Sequence, residues 1–260
     1  MHLKYDVKLV IEKQNDVLLI IPIINEGNKI VNQLNEIFSL DFTNFDVLIA
    51  DGGSTDGSIE TITQRYSDKN LAILIKAEEG GLSTQLRCGI HFALNRNYKY
   101  VLTMDGNNKD EVEGIPRIIS ALKNEFDFVQ GSRFLKKGDA VNTPMHRTLA
   151  IKLLHAPLIS FAARKRFTDT TNGFRGFSSE LLADPRIDAL RSIFKKYELI
   201  VYLPVVASRL NYRVCEIAVK RSYPSGGKTP TKVIGIRNHI ELFFNLVNAC
   251  LGRFNVVKKP

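Results

Sequence analysis

One run of eight apolar residues, VLLIIPII at positions 17–24, restricts the possible folds more than any other feature. A strand with one face in water alternates apolar and polar residues, whereas this run lacks alternation and predicts a strand buried on both faces. Strands of this kind occur in parallel sheets that helices cover on both sides. The run ends at Asn25, Glu26 and Gly27, and apolar residues at helical spacing follow it.

The alternation of strand and helix continues along the chain. Further strands are predicted at residues 45–50, 71–75, 100–104, 128–131 and 213–219. Helices are predicted after each of the first three strands and then at residues 140–166, 197–210 and 234–251. This order indicates an α/β fold, Rossmann-like, with a mainly parallel sheet and helices on both faces. We expect one domain over residues 1–232, ending in a basic loop at 220–232, and an amphipathic helix with a basic tail over residues 233–260.

The net charge of +9 is concentrated near the C-terminus. Residues 209–260 hold ten Lys and Arg against two Asp and Glu, whereas residues 1–208 hold 26 against 25. The C-terminal fifth is therefore predicted to meet an acidic partner, which could be a phosphate, an anionic membrane or a nucleic acid. A basic tail that is simply solvated is the alternative.

The cysteines and the uncharged stretches indicate the cellular compartment of the protein. Cys88, Cys215 and Cys250 are far apart and odd in number, which favours a reducing cytosol over a disulfide framework. The N-terminus has no apolar signal-peptide core, and the uncharged stretches at residues 153–163 and 242–252 are too short to span a bilayer. We expect a cytoplasmic protein, with peripheral attachment to the inner face of the membrane as an open possibility.

Two acidic turns follow predicted strands, where parallel sheets bind ligands. The turn DGGSTDG at residues 51–57 places Asp51 where its carboxylate could accept hydrogen bonds from a base or ribose. The turn DGN at residues 105–107 has Asp110, Glu111 and Glu113 just beyond it. Oxygen ligands of this kind suit Mg²⁺ or Mn²⁺ bridging a diphosphate. An ordinary strand-to-helix turn and a solvated acidic turn are the respective alternatives.

Six short segments in this order resemble the signatures of family 2 glycosyltransferases, and most closely those of the dolichol- or polyprenyl-phosphate mannose synthase type. They are IPIINE at 21–26, ADGGSTDG at 50–57, MDGN at 104–107, VQGSR at 129–133, DTTNGFR at 169–175 and YRVCEIAV at 212–219. Residues 221–232 resemble the basic loop that closes the family's catalytic domain. The resemblance implies a GT-A fold and an inverting, metal-dependent transfer of sugar from a nucleotide sugar.

The resemblance also implies roles for the donor-side residues. The nucleoside pocket would be lined by Pro22, Asn25, Glu26 and Asp51. Asp105 would bind Mg²⁺ or Mn²⁺ and, through the metal, the donor diphosphate, with Asn107 as the second ligand. Two departures weaken the metal and nucleoside sites: Gly52 and Asn107 stand where the family usually has a second aspartate. Asn107 offers only a neutral oxygen, for which Asp110 could compensate.

On the acceptor side, the resemblance implies that Asp169 orients or deprotonates the acceptor, although a capping role is the alternative. Phosphates of donor or acceptor would be held by Arg133, Arg175, Arg221, Lys228 and Lys232. The donor would be a UDP-, GDP- or dTDP-linked sugar. A polyprenyl phosphate acceptor would explain the basic loop together with the apolar face of the helix at 234–251, which could lie on a membrane.

Several alternatives stay open. The C-terminal helix could instead pack on the domain or pair with a second subunit in a homo-oligomer. The acceptor could be a glycan or lipid-linked saccharide hydroxyl in surface polysaccharide assembly, which would require a base such as Asp169 or Glu198. A nucleotidyltransferase is disfavoured because no basic, Gly-rich loop follows the first strand, and a non-catalytic nucleotide-sugar module is equally disfavoured. Nucleic-acid binding is disfavoured because aromatic residues are not interleaved with the basic ones.

Overall fold

The computed structural model describes residues 3–42, 44–225 and 236–256, and most of its strands form one eight-stranded sheet. In chain order the strands are β1 Tyr5–Leu9, β2 Val17–Ile23, β3 Asp46–Asp51, β4 Leu71–Lys76, β5 Tyr100–Thr103, β6 Phe128–Ser132, β7 Asp139–Val141, β8 Arg175–Ser178, β9 Val214–Ala218 and β10 Lys220–Ser222. The large sheet has the order β1-β4-β3-β2-β5-β8-β6-β9, and β7 and β10 form a separate parallel pair.

Helices connect these strands and cover the sheet. They are α1 Asn28–Phe38, α2 Ser58–Arg65, α3 Leu82–Asn95, α4 Gly114–Lys123, α5 Met145–Ala150, α6 Ala156–Ala163, α7 Ser179–Ala183, α8 Glu198–Arg209 and α9 Ile236–Cys250. A π-helical turn, Ile151–His155, joins α5 to α6 so that one continuous helical segment runs from residue 145 to residue 163.

Strand β2 is buried along its whole length, as its unbroken apolar sequence predicts. Leu18 and Ile20 face a core shared with α3, α6 and α8. Leu19 and Ile21 face the other core, which α1, α2 and α4 cover. Successive side chains of a strand point to opposite faces, so both faces of the sheet are packed. The predicted α/β fold with helices on both faces is confirmed.

The chain order of the strands reverses at β2, which fixes where a ligand can bind. Strand β2 pairs in parallel with β3 on one side and with β5 on the other. Connections leaving the two sides of β2 diverge, and this opens a crevice at the carboxyl ends of the strands. The turns that follow β2, β3 and β5 meet there.

Some elements differ from the sequence-based predictions. The segment predicted as a helix from residue 140 begins with β7, and its helix starts only at Met145. The predicted loop at residues 220–232 begins with β10. Both strands have three residues, too few for an alternating pattern, and each exists because it pairs with the other. Strands β1 and β8 were not predicted, and β8 places an antiparallel strand between β5 and β6.

The C-terminal helix α9 packs one face on the domain. Leu246 and Ala249 of α9 are buried in the core that also contains residues of α6 and α8. Its other face exposes Ile240, Phe243 and Phe244. Among the residues that the structure describes, no helix is both long and apolar enough to cross a membrane. The division into residues 1–232 and 233–260 stays a prediction.

Candidate active site

The turn after β3 is built around the Asp51 carboxylate. Asp51 is buried at the strand end, and its oxygens accept hydrogen bonds from the backbone N–H groups of Gly53 at 2.9 Å and Ser54 at 3.0 Å. The Ser54 hydroxyl donates to the same carboxylate at 2.5 Å. Asp51 therefore shapes the rim of the crevice, and its oxygens are already occupied by its own turn.

The turn after β2 is tied to the turn after β3, which brings the predicted nucleoside-binding residues together. Asn25 accepts a hydrogen bond from the Thr55 N–H at 2.8 Å and donates its own N–H to the Ser54 hydroxyl at 2.9 Å. Glu26 lies 3.5 Å from the Lys29 ammonium group. Pro22 lines a partly open cavity of about 150 Å³ that reaches Asp105. These contacts join the tips of β2, β3 and β5 into one site.

Asp105 lies just beyond the end of β5, with 27% of its side chain exposed. Two glycines allow close packing at this turn, Gly173 against Asp105 itself and Gly106 against β2. A Cβ atom at Gly173 would lie 2.3 Å from the Asp105 carboxylate, and one at Gly106 would lie 2.4 Å from the Ile23 side chain. A side chain at either position would force its neighbour to move: the Asp105 carboxylate in the case of Gly173, and the Ile23 side chain in the case of Gly106.

Arg221 reaches this carboxylate from β10. Its guanidinium donates to Asp105 at 2.8 Å and also to Asp110, so one cation bridges two carboxylates. Burial raises the pKa of Asp110 and outweighs the opposing effect of Arg221, while the two carboxylates raise the pKa of Arg221 well above its usual value despite its burial. The sequence also offers Asp110 as a replacement metal ligand, and the structure buries this residue against Arg221. Its Oδ1 atom has no hydrogen-bond partner among the described residues, so its role as a metal ligand stays a prediction.

Asn107 presents an unsatisfied oxygen on the same turn as Asp105. Its Oδ1 atom is buried and has no hydrogen-bond partner among the residues that the structure describes. Buried polar atoms are normally paired, so this oxygen can take a ligand or a water molecule as its partner. The turn itself is fixed by Gln33, which donates to the Asp105 carbonyl at 3.0 Å and accepts from the Asn108 N–H at 3.0 Å.

Asp169 is the partner of Arg133 in a buried two-point ion pair. The Arg133 guanidinium donates from Nε at 2.7 Å and from Nη2 at 3.0 Å, and Thr171 donates to Asp169 as well. Burial by itself would raise the pKa of Asp169, but the hydrogen bonds from Arg133 outweigh it and hold that pKa below its usual value. This geometry does not present Asp169 to an acceptor, and its predicted role stays untested.

The other cations that were predicted to bind phosphate differ in their surroundings. Arg175 is buried and donates to three backbone carbonyls, those of Asn172 at 3.0 Å, Thr170 at 2.8 Å and Ile200 at 2.6 Å. Its burial lowers its pKa to about 10. Lys228 and Lys232 lie outside the described residues. Among the three predicted phosphate-binding residues that the structure describes, Arg221 contacts Asp105, whereas Arg133 contacts Asp169 and Arg175 contacts backbone carbonyls.

Glu198, the other candidate general base, also has hydrogen-bond partners within the protein. It lies in the first turn of α8, and its carboxylate accepts the backbone N–H groups of Lys195 at 2.8 Å and Lys196 at 2.6 Å. A carboxylate in the first turn of a helix stabilises otherwise unpaired N–H groups and the helix dipole. Glu198 thus has a structural role at the entrance to α8.

A cationic cluster around Tyr223 was missed by the sequence analysis. The Tyr223 ring lies 4.9 Å from the Lys109 ammonium and 5.9 Å from the Arg147 guanidinium. Arg147 also donates to the Tyr223 hydroxyl at 3.5 Å. Burial would raise the pKa of Tyr223, but Arg221, Arg133 and Arg147 together lower it. No motif marks Arg147, and the available signal was the absence of Asp and Glu from residues 140–168.

The chain is similar in sequence to two polyprenyl-phosphate mannosyltransferases of known name. The chain is 28% identical to the undecaprenyl-phosphate mannosyltransferase of Micrococcus luteus over 204 residues, which are 78% of this chain and 82% of that protein. It is 28% identical to the dolichol-phosphate mannosyltransferase of Pyrococcus furiosus over 172 residues, which are 64% of this chain and only 47% of that protein.

A solved structure has the same fold. It is the glucosyl-3-phosphoglycerate synthase of Mycobacterium tuberculosis in complex with Mn²⁺, UDP and phosphoglyceric acid, with a TM-score of 0.64, 14% identity and coverage of 91% of this chain and 79% of that one. The sequence model described as "Glycosyl transferase family 2" matches residues 18–184, which is more than half of the chain. The chain therefore belongs to family 2 of the glycosyltransferases and has the GT-A fold.

Proposed function

We propose that this glycosyltransferase moves a sugar, with inversion, from a nucleotide sugar to a polyprenyl phosphate. The observation that carries the proposal is the contact of Arg221 with Asp105 at the tip of β5, beside the cationic cluster around Tyr223. An acidic turn that could hold a diphosphate through a divalent metal thus adjoins cations that can hold a second phosphate. The similarity to polyprenyl-phosphate mannosyltransferases supports this choice of acceptor.

The donor would bind across the tips of β2, β3 and β5. Its nucleoside would lie against the joined turns of Asn25 and Asp51, and its diphosphate would extend toward Asp105 and Arg221. The Asp51 carboxylate is occupied within its own turn, so we expect it to act mainly by shaping this surface. UDP, GDP and dTDP sugars are the candidates, and the similar solved structure held UDP.

The residues present fit a divalent metal, Mg²⁺ or Mn²⁺. Asp105 and the orphaned Oδ1 atom of Asn107 would hold it, which would give that buried oxygen a partner. Among the described residues no group of three or more His, Cys, Asp or Glu could hold a metal, so the diphosphate and water would complete its ligands. Such a metal neutralises the charge that develops on the leaving nucleotide.

The state of the two candidate bases favours a phosphate acceptor over a hydroxyl acceptor. Asp169 is paired with Arg133, and Glu198 is bound to backbone N–H groups. A saccharide hydroxyl must lose its proton during transfer, whereas a phosphate oxygen is already ionised near neutral pH. Arg147 and Lys109 would orient that phosphate toward the sugar, while Arg221 would neutralise charge on the donor side. The chain would then need no general base.

We place this reaction at a membrane surface on the cytoplasmic side. The exposed Phe243 and Phe244 on α9 would contact lipid, and the basic C-terminal fifth would favour anionic headgroups. Cys88, Cys215 and Cys250 are unpaired, as expected of a reducing compartment.

The proposed reaction has a direct test. The purified protein would be incubated with a membrane-lipid extract and a panel of labelled nucleotide sugars in the presence of Mn²⁺. We expect label in the organic phase, in a product that mild acid hydrolyses, from one nucleotide sugar of the panel. Label recovered only in water-soluble glycan would favour the hydroxyl acceptor and overturn the polyprenyl phosphate assignment.

Restoring a carboxylate at position 107 tests the metal site. Asn107→Asp should tighten Mn²⁺ binding in the presence of the preferred nucleoside diphosphate by about tenfold, because a charged oxygen replaces a neutral one in the ligand set. Calorimetric titration with Mn²⁺ measures the change. Asn44→Asp adds the same charge at an exposed position near the other end of the sheet and should leave the affinity unchanged. Equal affinities for both variants would exclude Asn107 as a ligand.

A further inference from the structure

The helical segment of residues 145–163 carries a row of exposed apolar side chains. Met145 is 73% exposed, Leu153 is 73% exposed and Phe161 is 87% exposed, and Leu149 is exposed between them. Single exposed apolar residues are ordinary on a protein surface, but four large ones in a row are not. We call these four residues, Met145, Leu149, Leu153 and Phe161, the apolar row.

The π-helical turn keeps this row straight. The residues of the row are spaced by multiples of four, and in a regular α-helix each step of four residues rotates the side chain by about 40° around the axis. The π-helical turn Ile151–His155 is wider and rotates less per residue, so it counteracts this drift in the middle of the segment. The row therefore stays on the solvent side, while Ile151, Ile159 and Ala162 face the core.

The surroundings of the row are basic. Residues 140–168 contain five Lys and Arg and no Asp or Glu. Lys152 is exposed beside Leu153, and Arg164, Lys165 and Arg166 are exposed just beyond Phe161. An apolar stripe with cations along it matches the interfacial region of a bilayer, where acyl chains lie below anionic headgroups.

The row and α9 flank the same side of the domain. The Cys250 thiol of α9 lies 3.5 Å from the Leu158 carbonyl of α6, and Arg209 joins the two helices by donating to the carbonyls of Ala162 at 2.7 Å and Cys250 at 3.0 Å. At its start the helical segment reaches the active site, since Arg147 contacts Tyr223. A surface bound through the row would hold the cationic cluster next to lipid headgroups.

We infer that the apolar row is a membrane-docking face, which inserts into the interfacial region of an anionic bilayer. This goes beyond the proposed function, because the membrane contact expected there involves α9 and the C-terminal basic residues. A second copy of the chain is the competing occupant. A symmetric dimer through this face would bring the basic residues of both copies together, whereas anionic lipid neutralises them.

Vesicle flotation tests this inference. The wild-type protein should float with phosphatidylcholine vesicles that contain phosphatidylglycerol, and much less with phosphatidylcholine alone. The double variant Leu153→Glu, Phe161→Glu should need at least about tenfold more lipid for half-maximal binding, since two apolar contacts are lost and two negative charges face the headgroups. The double variant Val10→Glu, Ile193→Glu changes two exposed apolar residues elsewhere and should bind as the wild type does.

Three results would overturn the inference. One is unchanged flotation of the Leu153 and Phe161 variant; another is equal binding of the wild type to vesicles with and without anionic lipid. The third is a wild-type dimer in sedimentation that the same variant converts to monomer. Thermal unfolding and nucleotide binding by the variant check that its fold and donor site are intact. Flotation uses neither donor nor acceptor, so it tests membrane docking separately from sugar transfer. The docking inference can fail while the protein still transfers sugar to detergent-dispersed polyprenyl phosphate. Equally, the protein can bind vesicles and show no transfer.

Discussion

Replacement of Asp105 by alanine should lower kcat for sugar transfer by about 10³-fold, equivalent to about 4 kcal/mol of transition-state stabilisation. Asp105 is the one carboxylate of the DGN turn, since Asn107 is neutral and Asp110 is buried against Arg221. Its loss removes the charged ligand that would hold a metal on the leaving diphosphate. Steady-state kinetics with the nucleotide sugar identified by the donor panel measures the effect.

The fold should survive this change. Asp105 is partly exposed, and Arg221 keeps Asp110 as its counter-ion when Asp105 is removed. Thermal unfolding of the variant should therefore resemble that of the wild type. Glu113→Ala is the matched control, because it removes an exposed carboxylate from the same acidic stretch and should leave kcat unchanged. Activity of Asp105→Ala close to that of the wild type would contradict the assigned role, and full wild-type activity in EDTA would exclude the metal.

The part of the site that depends on strand ends could be predicted from the sequence. Unbroken apolar strands followed by polar turns indicate a parallel sheet, and such a sheet brings the turns at its carboxyl edge together. Asn25, the Asp51 turn and Asp105 meet for this reason. The prediction needed no knowledge of side-chain partners, because the backbone topology alone places these turns.

The partners of the charged residues could not be predicted in the same way. Arg221 and Asp105 are 116 residues apart, and their contact depends on the three-residue pairing of β10 with β7. A short sequence motif shows that an arginine or aspartate is present but does not show whether another charge neutralises it. Arg133 and Asp169 both lie in recognisable motifs, yet their closest contact is with each other. Arg147 lies in no motif and reaches the site only through the position of its helix.

The buried pair of Arg133 and Asp169 gives the largest expected effect on stability. Asp169→Ala would leave Arg133 buried without its counter-ion, and breaking such a pair by removing one partner costs about 3–5 kcal/mol. In a chain of this size that corresponds to a decrease in Tm of about 10 °C. Thermal unfolding followed by circular dichroism measures it. The double variant Arg133→Met, Asp169→Leu removes both charges and should recover most of the lost stability.

Acid should lower the free energy of unfolding of the wild type more than that of this double variant. The folded-state pKa of Asp169 is below its unfolded value, so the contribution of the carboxylate to the free energy of unfolding is fully present above the unfolded pKa of about 3.9. It is lost as the pH falls through the folded pKa. The stability difference between wild type and double variant should therefore shrink in that acidic range. A pH-independent difference would contradict the ion-pair assignment.

The same residue separates a structural role from a catalytic one. Asp169→Asn preserves the shape of the side chain and part of its hydrogen bonding, so below its Tm it should keep kcat within about tenfold of the wild type if Asp169 only positions Arg133. A general base would behave differently, since its removal lowers the rate by about 10²- to 10⁴-fold and abolishes the acidic limb of the pH profile. A folded Asp169→Asn variant that shows this loss of rate would support the alternative hypothesis, in which the acceptor is a saccharide hydroxyl that Asp169 deprotonates.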